Sequence, residues 1–212
     1  MKIEIWSDVI CPWCYIGKRN FEKALAAFPH KDEVQIGWRS FELDPHAPAE
    51  LPGTLAEMLA KKYRTSLPEA DAMIARVTEA ARNAGLEYHL DKARTGNTFA
   101  AHRLLHHATS KGLGGKATER LMHAYFCESL PVGDRTALAR LAPEFGIAED
   151  EAVKVLESED YAEAVRADEA RATQFGINVV PSFVIDEKHL ITGGQPVEGF
   201  AAALRQAMAG SD

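Results

Sequence analysis

The 212-residue sequence lacks any apolar run near the ~20 residues a membrane-spanning helix needs. It has no Lys/Arg-rich tail and no basic stripe. Its 24 basic residues are outnumbered by 31 acidic ones, for a net charge of −7, which argues against nucleic acid as a partner. Low-complexity segments and internal repeats are absent as well. With 26% charged and 46% hydrophobic residues, the composition is that of a globular chain rather than a disordered one. Only three cysteines are present, too few for a disulfide framework. The opening run Lys2-Ile3-Glu4-Ile5-Trp6-Ser7-Asp8 has acids inside its apolar stretch. No secretory signal is read there, and the cytoplasm is the expected compartment. Thiols in a cytosolic chain point to catalysis, metal binding or inert burial.

What is present is concentrated in Cys11-Pro12-Trp13-Cys14. The motif follows a strand-like run (Lys2 to Trp6, with Val9-Ile10 continuing toward it) and precedes a helix-like run (Tyr15 to Phe28). A cysteine at a helix N-terminus faces free backbone N–H groups and the positive end of the helix dipole, which favours the nucleophilic thiolate. Residues three apart lie on one helix face, close enough for a short disulfide. Strand, Cys-x-x-Cys and helix in that order read as a redox motif, with Cys11 attacking and Cys14, one turn in, resolving. A metal site would need two further ligands, and no second Cys-x-x-Cys is present, so no metal is assigned. Two inert structural thiols are the plain alternative. Pro12 suits a first helical turn. Trp13 is open to two readings, a docking surface or edge packing.

The elements run β-α-β, then about a hundred residues of helix, then β-β-α. Val34, Ile36, Trp38 and Ser40 alternate as a second strand. Helical faces follow from Leu55 to Phe175, with a capping box at Ser66-Leu67-Pro68-Glu69 and a stop at Gly85. Ser182–Asp186 and His189–Thr192 read as a hairpin around Glu187-Lys188, and Val197 to Met208 as the last helix. The fold class is therefore α/β. A small mixed sheet domain is divided into residues 1–44 and 159–212 by an all-helical insertion, 45–158.

A second signal is Val179-Val180-Pro181-Ser182-Phe183. A proline entering a strand reads most simply as trans on an edge. With a Cys-x-x-Cys upstream in the same domain, a cis Val180–Pro181 bond becomes the better expectation, placing the Val180 backbone where an extended substrate could pair with it.

Ser7 to Gly17, containing the Cys pair, resembles the active-site segment of the DsbA-like oxidoreductases, specifically the FrnE-like subgroup. Gly176 to Phe183 resembles that family's cis-proline segment, and Asn97 to Leu104 a part of its helical insertion. The resemblance implies a thioredoxin fold with a helical insertion and thiol–disulfide oxidoreductase activity on protein or small-molecule disulfides. It also implies Cys11 as nucleophile, Cys14 as resolving thiol and Pro181 as the cis-proline. No metal or organic cofactor is required by it. The 2-hydroxychromene-2-carboxylate isomerases and kappa-type glutathione transferases are similar too, but typically carry serine where Cys11 stands. They keep glutathione open as substrate or reductant, with Asn97 and His102 as candidate pocket residues. His102 could instead tune Cys11 or be a satisfied core histidine, and Asn97 could cap its helix. His106, His107 and His123 read as surface or packing residues, and Cys127 as a small core residue. A metal- or redox-sensing binding protein is the reading furthest from catalysis.

Overall fold

The computed structural model describes residues 1–209. Its strands are β1 (Lys2–Ser7), β2 (Gln35–Ser40), β3 (Ser182–Ile185) and β4 (His189–Thr192). Its helices are α1 (Pro12–Ala26), α2 (Leu55–Tyr63), α3 (Leu67–Ala84), α4 (Phe99–Ser110), α5 (Gly114–Glu128), α6 (Arg135–Leu141), α7 (Glu149–Glu157), α8 (Ala162–Gln174) and α9 (Val197–Ala209). The sheet order is β2-β1-β3-β4, with β1 parallel to β2 and the other pairs antiparallel.

Alternation in β1 sends its residues to two different environments. Ile3 and Ile5 join Phe183 and Ile185 in a core with Phe21 of α1 and Phe200 and Leu204 of α9. Phe183 and Phe200 meet edge to face at 4.7 Å between centroids. Glu4 and Trp6 belong to the other face, where the Trp6 indole donates to the Asp168 carbonyl of α8. That face shares one hydrophobic cluster with the insertion helices, from Trp6 and Tyr15 to Leu104, Phe126 and Phe145.

Local signals account for several boundaries. β1 stops at Ser7 rather than continuing through Val9-Ile10, because Asp8 to Cys11 close a turn through Cys11 N–H to the Asp8 carbonyl at 3.1 Å. α1 begins at Pro12, earlier than the Tyr15 expected, since proline is well suited to the first turn. The capping box at Ser66 and Glu69 forms, and Gly85 ends α3 at φ 89°. A second box, Thr54 with Glu57, starts α2. The hairpin turn uses left-handed Asp186 and Glu187 without glycine, and Asp186 is held by accepting from Lys2 N–H at 2.6 Å. Arg103, almost fully buried on α4, donates to the carbonyls of Val155, Ser158 and Asp160 where α7 ends. This is the favourable end of the helix for a cation.

Candidate active site

Cys11 is the N-cap of α1 in extended conformation, and Cys14 sits one turn in, its N–H donating to the Cys11 carbonyl at 3.0 Å. Both thiols are free and buried. The Cys11 thiol donates to the Val180 carbonyl at 3.5 Å, so the first and last thirds of the chain meet at this sulfur. The Val180–Pro181 peptide bond is cis. The Pro181 carbonyl accepts from Gly193 N–H at 2.8 Å and the Ser182 hydroxyl donates to the Val179 carbonyl at 2.8 Å, pinning this loop from both sides. Gly17 permits the close approach of α1, since a Cβ there would lie 3.0 Å from Pro181 Cγ and 3.2 Å from Gly194 Cα. Trp13 and Val179, 45% and 50% exposed, stand as apolar side chains flanking the buried sulfurs. Pro12 is half-buried, its carbonyl accepting from the Tyr88 hydroxyl at 2.8 Å. Tyr88 comes from the insertion and stacks on Phe126 at 4.4 Å.

The two sulfurs differ in their surroundings. Burial pushes the Cys14 thiol well above the ordinary range, and its neighbour Cys11 pushes in the same direction. The Ser7 hydroxyl and the Asp8 backbone N–H pull the other way. Beneath the motif lies a fully buried carboxylate, Asp8. Its Oδ2 accepts from Leu43 N–H at 2.8 Å, and its Oδ1 faces His102 Nε2 at 3.4 Å. The alignment of the latter pair falls short of a hydrogen bond, leaving Asp8 Oδ1 and His102 Nε2 otherwise unpartnered. Burial lowers the proton affinity of His102, but Asp8 outweighs it, with Glu42 and Glu169 adding, so the imidazole is held above its ordinary value.

The sequence-derived candidates thus divide. Cys11, Cys14, Pro12, Trp13, Val180 and Pro181 come together at one point. His102 lies behind the motif, against Asp8, and is wholly buried rather than lining an open cleft. Asn97 is committed elsewhere: its N–H donates to the Pro48 carbonyl at 2.8 Å, its side-chain amide to Pro45 at 3.3 Å, and its Oδ1 accepts from Phe99 N–H at 2.9 Å. It starts α4 and anchors the 45–48 loop, while Thr98 occupies the N-cap. His107 is buried and bonded to Tyr161 and Glu151, His106 lies 3.1 Å from Asp168, and His123 is exposed beside Glu128. Cys127 is half-buried, bordering a groove with Tyr15, Arg19 and His89. Among the described residues no group of three or more His, Cys, Asp or Glu is arranged to hold a metal ion. Ser7, Asp8 and Tyr88 were not singled out from the sequence. An acid in an apolar run just before the motif was the available signal for Asp8; Tyr88 had none.

Residues 2–205 match the model of the DSBA-like thioredoxin domain. The chain is 41% identical to a probable DsbA oxidoreductase from Streptomyces coelicolor, whose crystal structure superposes with a TM-score of 0.95 over 99% of this chain and 90% of that one. It shares its fold with a 2-hydroxychromene-2-carboxylate isomerase (TM-score 0.77, 12% identity, 100% of this chain and 98% of that one). The same holds for the cytosolic disulfide reductase DsbM from Pseudomonas aeruginosa with GSH (TM-score 0.68, 15% identity, 99% and 100%). With its Cys pair capping α1 against a cis-proline loop, the chain belongs to the DSBA-like thioredoxin domain family and is an oxidoreductase of that class.

Proposed function

We propose that this protein catalyses thiol–disulfide exchange, with Cys11 as nucleophile and Cys14 as resolving thiol. The observation that carries the reading is the Cys11 sulfur at the N-cap of α1, 3.5 Å from the Val180 carbonyl, with Cys14 one turn behind it. Cys11 thiolate attacks a substrate disulfide, and one substrate sulfur leaves with the electron pair of the broken bond. Cys14 then attacks Cys11 Sγ, releasing the second substrate sulfur and closing the Cys11–Cys14 disulfide. In the opposite direction a substrate dithiol opens that bond. Trp13 and Val179 offer an apolar rim to a substrate, Val180 and Pro181 position it, and no metal or organic cofactor enters the reaction. The substrates are disulfide-containing proteins or small molecules in the cytoplasm. Glutathione as reductant is supported by the shared fold with DsbM, described with GSH.

The test is a glutathione redox series read by intact mass and free-thiol count, with Cys11→Ser and Cys14→Ser in parallel. The expected result is a reversible loss of two hydrogen atoms, their electrons passing to glutathione disulfide, that each substitution abolishes; the midpoint gives the potential, at ~30 mV per tenfold in equilibrium constant. Cys14→Ser is expected to accumulate a mixed disulfide at Cys11. A second reading, a glutathione-dependent isomerase or transferase, is favoured only by the fold shared with the chromene carboxylate isomerase. It requires saturable glutathione binding and activity that survives Cys14→Ser.

A further inference from the structure

One side chain of the insertion reaches the backbone between the two cysteines. Tyr88, in the segment between α3 and α4, is 5% exposed, and its hydroxyl donates to the Pro12 carbonyl at 2.8 Å. Its ring stacks on Phe126 of α5 at 4.4 Å between centroids and lies 6.2 Å from Tyr15 of α1 at an interplanar angle of 16°. The segment that carries it is held on both sides: Leu86 N–H donates to the Ala81 carbonyl at 2.9 Å and His89 N–H to the Phe126 carbonyl at 2.7 Å. Burial pushes the Tyr88 phenol well above its ordinary range, and the Cys11 sulfur pushes the same way, so the hydroxyl keeps its proton and remains a donor.

As a thiol, Cys11 donates to the Val180 carbonyl at 3.5 Å; as a thiolate it has no hydrogen to give and needs donors of its own. An N-cap side chain is served by the N–H groups of the second and third helical residues. In α1 these are Trp13 and Cys14, and the Cys14 N–H already donates to the Cys11 carbonyl at 3.0 Å. Of the two, the Trp13 N–H is the one left for the sulfur. It belongs to the same peptide unit as the Pro12 carbonyl, so a hydrogen bond donated to that oxygen polarises the unit and makes the N–H a stronger donor. We propose that Tyr88 is a positioning residue for thiol–disulfide exchange: its bond to the Pro12 carbonyl fixes the Cys-x-x-Cys turn and presents a polarised Trp13 N–H to the Cys11 sulfur. This rests on Cys11 and Cys14 being the exchanging pair. The thiolate exists only in the dithiol form, so a donor held ready for it favours that form over the disulfide. Through Tyr88 the insertion therefore sets part of the redox balance of a motif carried by the sheet domain.

The test is the equilibrium with glutathione, in which protein dithiol and glutathione disulfide give protein disulfide and two molecules of glutathione. Tyr88→Phe keeps the stacked ring and removes the hydroxyl. It is expected to shift this equilibrium toward the protein disulfide about fivefold, the scale of one ordinary hydrogen bond. At ~30 mV per tenfold that is a potential lower by about 20 mV. Urea unfolding of both forms closes the cycle: the substitution is expected to lower the stability of the reduced protein more than that of the oxidised one. 3-Fluorotyrosine placed at position 88, a stronger donor of nearly the same shape, is expected to shift the equilibrium the other way, and it decides the matter even where Tyr88→Phe does not fold. A Tyr88 that only packs costs both forms equally and leaves the equilibrium constant unchanged. That result overturns the inference and leaves the Cys11–Cys14 reading standing. A wild-type protein that forms no Cys11–Cys14 disulfide overturns that reading, and this inference with it.

Discussion

His102 shows how one buried residue makes stability depend on pH. Its contact with Asp8 holds the imidazole's proton more tightly in the folded chain than in the unfolded one. A folded value raised above the unfolded one gives stability that is fully present below pH ~6.5 and is lost as pH rises through the folded value. His102→Gln is therefore expected to lower the urea midpoint more at pH 6 than at pH 9, measured by denaturation at both. An equal loss at the two values would show that only packing was removed. Asn97 illustrates the opposite case: three hydrogen bonds, all to backbone, leave its side chain a structural task that needs no ligand.

At the scale of elements, the site depends on how closely α1 can lie against the Pro181 loop. Gly17 is the residue that sets this distance. Gly17→Ala puts a methyl 3.0 Å from Pro181 Cγ and 3.2 Å from Gly194 Cα, tighter than most carbon contacts, so the Pro181 loop must give by a few tenths of an ångström. The expected cost is ~1–3 kcal/mol of stability, as for other overpacked sites, together with slower exchange at Cys11 as Val180 is displaced. Gly37 on β2 is the matched control, because a Cβ there meets nothing within 4 Å. Gly37→Ala is expected to leave both the denaturation midpoint and the exchange rate unchanged.

Across the whole molecule, buried charge ties α5 of the insertion to α1, and the sheet to α8. Glu119 of α5 accepts from Lys18, Arg19 and Tyr15 of α1. Burial raises its carboxyl, but these donors, led by Lys18, win and hold it down to about 2. Glu4 of β1 meets Arg39 of β2 at 2.5 Å and Arg171 of α8 at 2.7 Å and is likewise held low, burial notwithstanding. A depressed folded value gives stability present above the unfolded value near 4.5 and lost as pH falls toward 2. Glu42, raised by burial, opposes this only in part. Acid unfolding is thus expected between about pH 4.5 and 2, and Glu119→Gln is expected to remove part of the fall while lowering stability at pH 7, because it leaves the buried Lys18 ammonium less well paired. Circular dichroism against pH for both proteins checks this.

The order of elements, the Cys pair at a helix start and the Ser66 capping box could be read in the sequence, because each depends on neighbours within a few residues or on a regular period, whereas the cis Pro181 loop was expected only through the Cys pair far upstream. The tertiary structure alone decided which distant groups share a buried volume. It set Asp8 against His102 across 94 positions of chain and brought Tyr88 onto the Pro12 carbonyl. None of these contacts has a local signature. Each exists because burying polar groups is costly unless they meet a partner, and the packed fold determines which partner is within reach.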